Sequence, residues 1–309
     1  LDTVSLAPPK EGEILCETLY LSLDPYMRIR LGGNHLSGGD DIGDCLSGEA
    51  VSRVLESRHP NFSPGQLLRM HSGWQSHFVS DGEGAALVEP GALSPSLFLG
   101  VLGMPGLTAY AGVTRLAEPQ KGDTLVVSAA SGPVGATVAQ VGKIHGCRTV
   151  GIAGSEEKCR WSVKEAGLDA CINYKQEDVR EALAKHCPDG INIYFDNVGG
   201  DILQAVMEQL AIGARVVLCG LIVQYNSDET PSGPNPGLLI RARAAMRGLV
   251  VYDHEDLREQ FVQDCKQWIE DGQLHYQEDI SEGLEQAPAA FVRLMQGRNF
   301  GKMIVKVAK

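Results

Sequence analysis

Apolar and polar positions follow two rhythms along this chain, and the change comes near residue 103. Before it, the stretches 14–22, 48–54 and 66–70 read as strands, punctuated by Gly12, Pro25, Pro64-Gly65 and Gly73. No helical periodicity runs through residues 1 to about 100, which predicts a compact β-rich barrel. After it, short apolar runs alternate with amphipathic stretches. Strands are predicted at 124–128, 148–153, 169–174, 191–196, 214–219 and 247–252, and helices at 133–145, 156–166, 177–187, 201–211 and 254–271. Strand, helix, strand at this spacing predicts an α/β fold with a doubly wound parallel sheet. A closing helix at 285–296 and the strand Met303-Ile304-Val305-Lys306-Val307 are expected to rejoin the first part. The expected domains are therefore 1–102, completed by 276–309, and 103–275. The Ser-, Pro-, Asn- and Gly-rich stretch 225–236 is expected to be a mobile loop.

The run from Thr124 to Gly135 carries the most specific chemistry. An apolar strand enters a small-residue turn, Ala130-x-Gly132-x-x-Gly135, and a helix leaves it near Pro133. A dinucleotide-binding βα unit needs that order. Small residues at Ala130, Gly132 and Gly135 let a pyrophosphate approach the backbone, and the N–H groups of the first helical turn meet its charge. The spacing also suits a ligand-free strand-to-helix turn. Six alternating strands match the two-halved dinucleotide fold, whose ligands collect at the carboxyl ends of the strands. Asp196-Asn197-Val198-Gly199-Gly200 and Cys219-Gly220-Leu221-Ile222 fall at two such ends.

Coenzyme choice turns on the second strand of that unit. It ends Gly151-Ile152-Ala153-Gly154-Ser155, without the carboxylate that would bind a ribose 2′-hydroxyl. Lys158 follows one turn into the next helix, where an ammonium can reach a 2′-phosphate or simply sit in solvent. Ser155 suits an N-cap, and Glu156 and Glu157 complement the helix dipole. Tyr174 ends the third strand, where it closes over the same pocket or serves only as packing.

Composition removes several function classes. The chain has 309 residues and a net charge of −12, against the clustered cations that nucleic-acid binding requires. No run approaches the length of a membrane span, and no signal-like segment opens the chain. Residue Leu1 begins as though a short strand had preceded it. Eight cysteines at 16, 45, 147, 159, 171, 187, 219 and 265 form no Cys-x-x-Cys pair, so zinc-ribbon spacing is absent. Such scattered thiols predict a reducing compartment, the cytoplasm.

Several segments recur together in one family: Leu21-Ser22-Leu23-Asp24-Pro25-Tyr26-Met27-Arg28, Gly103-Met104-Pro105-Gly106-Leu107-Thr108-Ala109-Tyr110 and Tyr194-Phe195-Asp196-Asn197-Val198-Gly199-Gly200. With them go the Ala130–Gly135 turn, Cys219-Gly220, Gln224-Tyr225-Asn226 and Asn299-Phe300-Gly301-Lys302. As a set they resemble the zinc-free prostaglandin reductase and alkenal/one oxidoreductase branch of the medium-chain dehydrogenase/reductase superfamily. The resemblance covers nearly the whole chain. It implies a GroES-like N-terminal domain, a Rossmann domain, NADP(H), no metal, and reduction of the carbon–carbon double bond of enones and enals.

By that resemblance Gly132, Pro133, Val134 and Gly135 hold the pyrophosphate, and Lys158 and Tyr174 the 2′-phosphate. Asn197, Cys219, Gly220, Tyr225 and Asn299 surround the nicotinamide half, and a Leu249-Val250-Val251 strand backs the ring. Gly48-Glu49-Ala50 lacks the histidine that zinc alcohol dehydrogenases carry there. Some members also place a tyrosine after the Tyr-Met-Arg segment, where this chain reads Gly32 to Asp41 with His35 and no tyrosine. Hydride reaching the β-carbon leaves an enolate oxygen in need of a donor, and Tyr225 is the expected catalytic group. The α-carbon proton comes from Tyr225 or from water. Tyr26 and Met104 are expected to shape the substrate pocket or to be core contacts. An NADPH quinone reductase and a non-catalytic NADPH-binding redox sensor remain alternatives, and a homodimer is the default assembly.

Overall fold

The computed structural model of the protein describes residues 1–33, 35–36, 38–41, 43–226 and 232–308. The first part of the chain carries β1 (Ile14–Ser22), α1 (Met27–Leu31), β2 (Glu49–Ser57), β3 (Leu67–His71), β4 (His77–Ser80) and β5 (Ala86–Leu87). The middle follows with α2 (Met104–Ala111), β6 (Thr124–Ser128), α3 (Pro133–Ile144), β7 (Arg148–Ala153), α4 (Glu156–Lys164), β8 (Ala170–Asn173) and α5 (Val179–His186). It continues through β9 (Ile191–Asp196), α6 (Gly200–Met207), β10 (Leu210–Leu218), α7 (Gly237–Ala242), β11 (Ala245–Gly248) and α8 (Arg258–Glu270). β12 (Glu278–Glu282), α9 (Ala287–Met295) and β13 (Lys302–Lys306) close the chain. These elements form two compact units, residues 1–103 with 278–309, and residues 104–277.

The first unit is a seven-stranded sheet in the order β12-β13-β1-β2-β3-β5, with β4 also pairing β1. Both faces of β1 are covered. Ile14 and Cys16 join Val54, Leu68 and Phe78, while Leu21 joins Ala50, Phe291 and Met303. The C-terminal strand β13 is fastened to β1 by its ladder, and to the segment leaving β1 by a buried ion pair. Lys302 Nζ lies 2.6 Å from Asp24 Oδ1 and donates to the Leu23 carbonyl at 2.9 Å. The Ser22 hydroxyl donates to the other Asp24 oxygen. A charge this deep persists because every partner is supplied.

The second unit is built on a six-stranded sheet, order β11-β10-β9-β6-β7-β8, parallel throughout. Counted along the chain that is 6-5-4-1-2-3, so chain order reverses between β6 and β9, the switch point of a doubly wound sheet. The period-two alternation of strands divides its apolar residues between two cores. Val126, Tyr194 and Val216 face one; Leu125, Val127, Ile193, Phe195 and Val217 face the other. All five residues of β6 are buried, as a central parallel strand requires. Among the described residues no helix is long and apolar enough to cross a membrane.

Strands at 124–128, 148–153 and 191–196 lie where the pattern predicts them, and α3 differs by one residue. Other elements correct it. The helix expected over 201–211 ends at Met207, because β10 already begins at Leu210 and bends through Gly213, whose φ is +77°. The strand expected at 247–252 lies instead at 245–248. β11 pairs Arg215–Leu218 with Ala245–Gly248 and stops where β10 stops. The Leu249 N–H then donates to the Leu218 carbonyl at 2.9 Å, and Val251–Leu257 winds as a 3-10 stretch. Leu249-Val250-Val251 is therefore the exit from β11 rather than a strand, and α8 starts four residues later than expected. α2 went unpredicted because Pro105 to Ala111 are all buried, which leaves no polar face to mark a helical period. Of the stretch expected to be mobile, residues 227–231 lie outside the described residues.

Candidate active site

The turn after β6 exposes backbone rather than side chains. Ala129 takes a left-handed φ of +53°, and the Gly132 N–H returns to its carbonyl at 2.9 Å. Gly132 is the N-cap of α3, with no side chain capping the helix and Pro133 at its first position. The helix therefore presents the amides of its first turn, Val134 and Gly135 among them, toward the carboxyl end of the sheet. The two glycines do different work. A Cβ on Gly132 would meet only the Ala129 carbonyl oxygen, at 3.3 Å, so this position is open to a ligand. A Cβ on Gly135 would lie 2.3 Å from that oxygen, so the residue lets helix and turn pack. Ala130 is fully buried, and its methyl group occupies the space Gly151 leaves free. Of the three small residues, Gly132 alone has the open side that pyrophosphate approach needs.

One strand further out, Ser155 caps α4, its hydroxyl accepting from the Lys158 N–H at 3.3 Å. Glu156 and Glu157 occupy the first turn. Lys158 is half-buried there. Tyr174, 44% exposed, lays its ring against Gly154, where a Cβ would stand 3.0 Å from the hydroxyl oxygen. Lys175 Nζ stands 5.9 Å from the centre of that ring. Lys175 has no counterpart among the residues the sequence pointed to, although a lysine directly after Tyr174 was the available signal.

At the switch point the surroundings are polar side chains. The Asp196 carboxylate, fully buried, accepts from the Tyr194 hydroxyl at 2.8 Å, the Ser128 hydroxyl at 3.0 Å and the Val198 and Gly199 amides at 3.0 Å. Burial and this neighbouring carboxylate push the Tyr194 phenol well above its ordinary range. Asn197 is fixed twice to β6, its amide on the Ser128 hydroxyl and its Nδ2 on the Ser128 carbonyl, both at 2.8 Å. The Cys219 and Gly220 amides donate to the Asp196 carbonyl at 2.9 and 3.1 Å. One network thus ties the ends of β6, β9 and β10. Ser128, Tyr194 and Asp196 were not assigned a role from sequence, because partners 68 residues apart leave no local pattern.

Tyr225 completes this side. It is half-buried, and its hydroxyl accepts from the Leu221 N–H at 3.4 Å above the Gly220 turn. A Cβ on Gly220 would lie 3.2 Å from that oxygen. Burial raises the phenol above its ordinary value, so it stays protonated and retains a proton to donate. Burial, reinforced by Asp196, pushes the Cys219 thiol up to about 12, which makes it a neutral wall rather than a nucleophile.

The structure therefore gathers Asn197, Cys219, Gly220 and Tyr225 around one pair of strand ends, with the Gly132 turn on the adjoining strand. Leu249, buried, and Val250, partly exposed, leave β11 beside β10. Met104 opens α2, where its carbonyl accepts from the Thr108 hydroxyl at 2.8 Å. Tyr26 and Asn299 belong to the first unit. There Tyr26 packs against His35, ring centres 5.1 Å apart, and Asn299 Nδ2 donates to the Gly301 carbonyl at 2.8 Å.

Two family descriptions match the chain: the N-terminal domain of oxidoreductases over residues 1–88 and a zinc-binding dehydrogenase domain over residues 133–267. The NADPH-dependent curcumin reductase of Escherichia coli is 44% identical over 100% of this chain and 91% of its own. Bovine prostaglandin reductase 1 is 42% identical over 99% and 93%. The chain belongs to the medium-chain dehydrogenase/reductase superfamily, in its prostaglandin reductase branch. The crystal structure of CurA from Vibrio vulnificus in complex with NADPH superposes with a TM-score of 0.94 at 44% identity, covering 99% of this chain and 94% of that one. One of the two matching domains is described as zinc-binding. Among the described residues no group of three or more His, Cys, Asp or Glu side chains could hold an ion. Glu49, in the segment where a zinc ligand would be sought, is held by Arg69 at 2.5 Å.

Proposed function

We propose that this protein is an NADPH-dependent, zinc-independent reductase of carbon–carbon double bonds conjugated to a carbonyl, taking enones and enals as substrates. Relatedness over 99–100% of this chain to a curcumin reductase and a prostaglandin reductase is the observation that carries this reading. The uncapped α3 turn at Gly132, Pro133, Val134 and Gly135 takes the pyrophosphate. Lys158 and Tyr174, with Lys175 beside them, take the 2′-phosphate. Asn197, Cys219, Gly220, Tyr225 and the Leu249-Val250-Val251 exit line the nicotinamide half, and Met104 shapes the acceptor pocket. When bound, NADPH supplies a hydride to the β-carbon of the acceptor. The residues of this chain do the rest. Asn197, fixed to Ser128, orients the coenzyme, and the Tyr225 phenol donates to the carbonyl oxygen on which negative charge develops. Held above its ordinary pKa, that phenol donates without ionising. The eight scattered thiols fit a reducing, cytoplasmic setting, and a C2 homodimer is the assembly this reading carries.

The test is a panel of one enone, one enal and one quinone, compared by kcat/KM with NADPH. Conjugated carbonyls should lead. A quinone preferred over both would make the protein a quinone reductase, and binding of NADPH with no acceptor consumed would make it a sensor.

A further inference from the structure

Cys159 and Cys171 lie twelve residues apart in sequence but share one contact. The Cys171 thiol donates to the Cys159 sulfur across 2.8 Å. Cys159 sits in the first turns of α4, one residue after Lys158. Cys171 sits on β8, paired with Gly151 of β7. Both thiols are partly exposed, whereas Cys16, Cys147, Cys187 and Cys265 are buried. A disulfide needs its sulfurs about 2.05 Å apart, so a small adjustment of α4 on β8 closes this pair.

We propose that Cys159 and Cys171 are a peroxide-responsive dithiol that closes reversibly to a disulfide between α4 and β8. Cys159 is the attacking group. The S–H donated by Cys171 lowers its pKa against the opposing effects of burial and Glu177, and the amino end of α4 favours its thiolate. Its sulfur attacks one oxygen of hydrogen peroxide and the O–O bond breaks. Cys159 becomes a sulfenic acid, and the departing hydroxide takes up the thiol proton as water. The Cys171 sulfur then attacks the Cys159 sulfur and displaces a second hydroxide, which leaves as water with the Cys171 proton. Two thiols lose two electrons, and one peroxide becomes two waters. A reducing dithiol reverses the change.

The consequence for catalysis rests on the 2′-phosphate reading above. Drawing Cys159 toward β8 moves the helical turn that carries Ser155 and Lys158, and the strand whose end carries Tyr174. Oxidation is therefore expected to raise KM for NADPH while leaving KM for NADH where it is.

The experiment treats the folded full chain with a small excess of hydrogen peroxide, blocks remaining thiols, and maps peptides. KM for both coenzymes is measured before oxidation, after it, and after dithiothreitol. The expected result is a Cys159–Cys171 link with a rise of about threefold or more in KM for NADPH, a loss of roughly half a kcal/mol or more, reversed by the dithiol. Cys171→Ser should abolish both the link and the response. Peroxide that oxidises other cysteines without joining this pair overturns the proposal, as does a response that survives in Cys171→Ser. A link that leaves both KM values unchanged overturns the switch alone, provided Lys158→Ala still raises KM for NADPH. If Lys158→Ala changes nothing either, the 2′-phosphate reading fails and the switch fails with it.

Discussion

After β6 the chain meets its surroundings as bare backbone. Gly132 is open, α3 is uncapped, and the small residues on either side exist to let helix and turn approach. After β9 and β10 the surroundings are side chains: Asp196 collects two hydroxyls and two amides, Asn197 is fixed twice to Ser128, and Tyr225 stands over Gly220. The first region suits an anion that needs only N–H groups and a helix dipole, whatever else the ligand carries. The second supplies oriented donors at defined atoms, as a reaction that develops charge requires. In the proposed function, binding and chemistry are thus divided between neighbouring strand ends of one sheet.

The largest expected effect breaks the side-chain region. Asp196→Ala leaves the Ser128, Tyr194, Val198 and Gly199 donors buried without their acceptor, at about 1–3 kcal/mol for each that water cannot reach. Unfolding in denaturant should show a loss of about 3 kcal/mol or more; a loss below about 1 kcal/mol would mean the network does not hold these strand ends together. Tyr225→Phe should keep the fold and lower kcat about 10²-fold for an enone. Because burial raises this phenol, any alkaline fall in kcat that it causes should begin above its ordinary value of 10 and disappear in the variant. An unchanged rate would remove Tyr225 from the reaction.

Smaller effects sharpen the backbone region. Gly135→Ala must push the α3 turn off the Ala129 carbonyl and should cost about 1–3 kcal/mol of stability. Gly132→Ala has room by comparison, so it should leave stability almost unchanged while raising KM for both coenzymes alike. Equal stability losses for the two variants would erase the distinction drawn between these glycines. Lys158→Ala should raise KM for NADPH about tenfold, the size of one lost charge-assisted contact, and spare NADH. Equal changes for both coenzymes would remove the 2′-phosphate assignment.

The same division explains what the sequence made legible. Backbone recognition leaves a local trace, because glycines at fixed spacing between a strand and a helix are needed whatever surrounds them. The β6–α3 turn and its strands were therefore read nearly to the residue. The Asp196 network depends on partners brought together only by the parallel sheet, and α2 is buried all round. Neither leaves a period to detect. β11 was misplaced for a related reason: its length is set by where β10 ends, while Leu249-Val250-Val251 looks more strand-like than Ala245-Met246-Arg247-Gly248. The Cys159–Cys171 contact was equally hidden, since spacing rules for cysteine pairs look along the chain and this pair forms across a helix and a strand.

The most direct measurement of the central claim follows a label. The protein is given NADPH deuterated at the transferred position together with an enone, and the product is examined by NMR. A saturated ketone with deuterium on the former β-carbon is the predicted result. An allylic alcohol with deuterium on the carbonyl carbon, or no transfer at all, would contradict it.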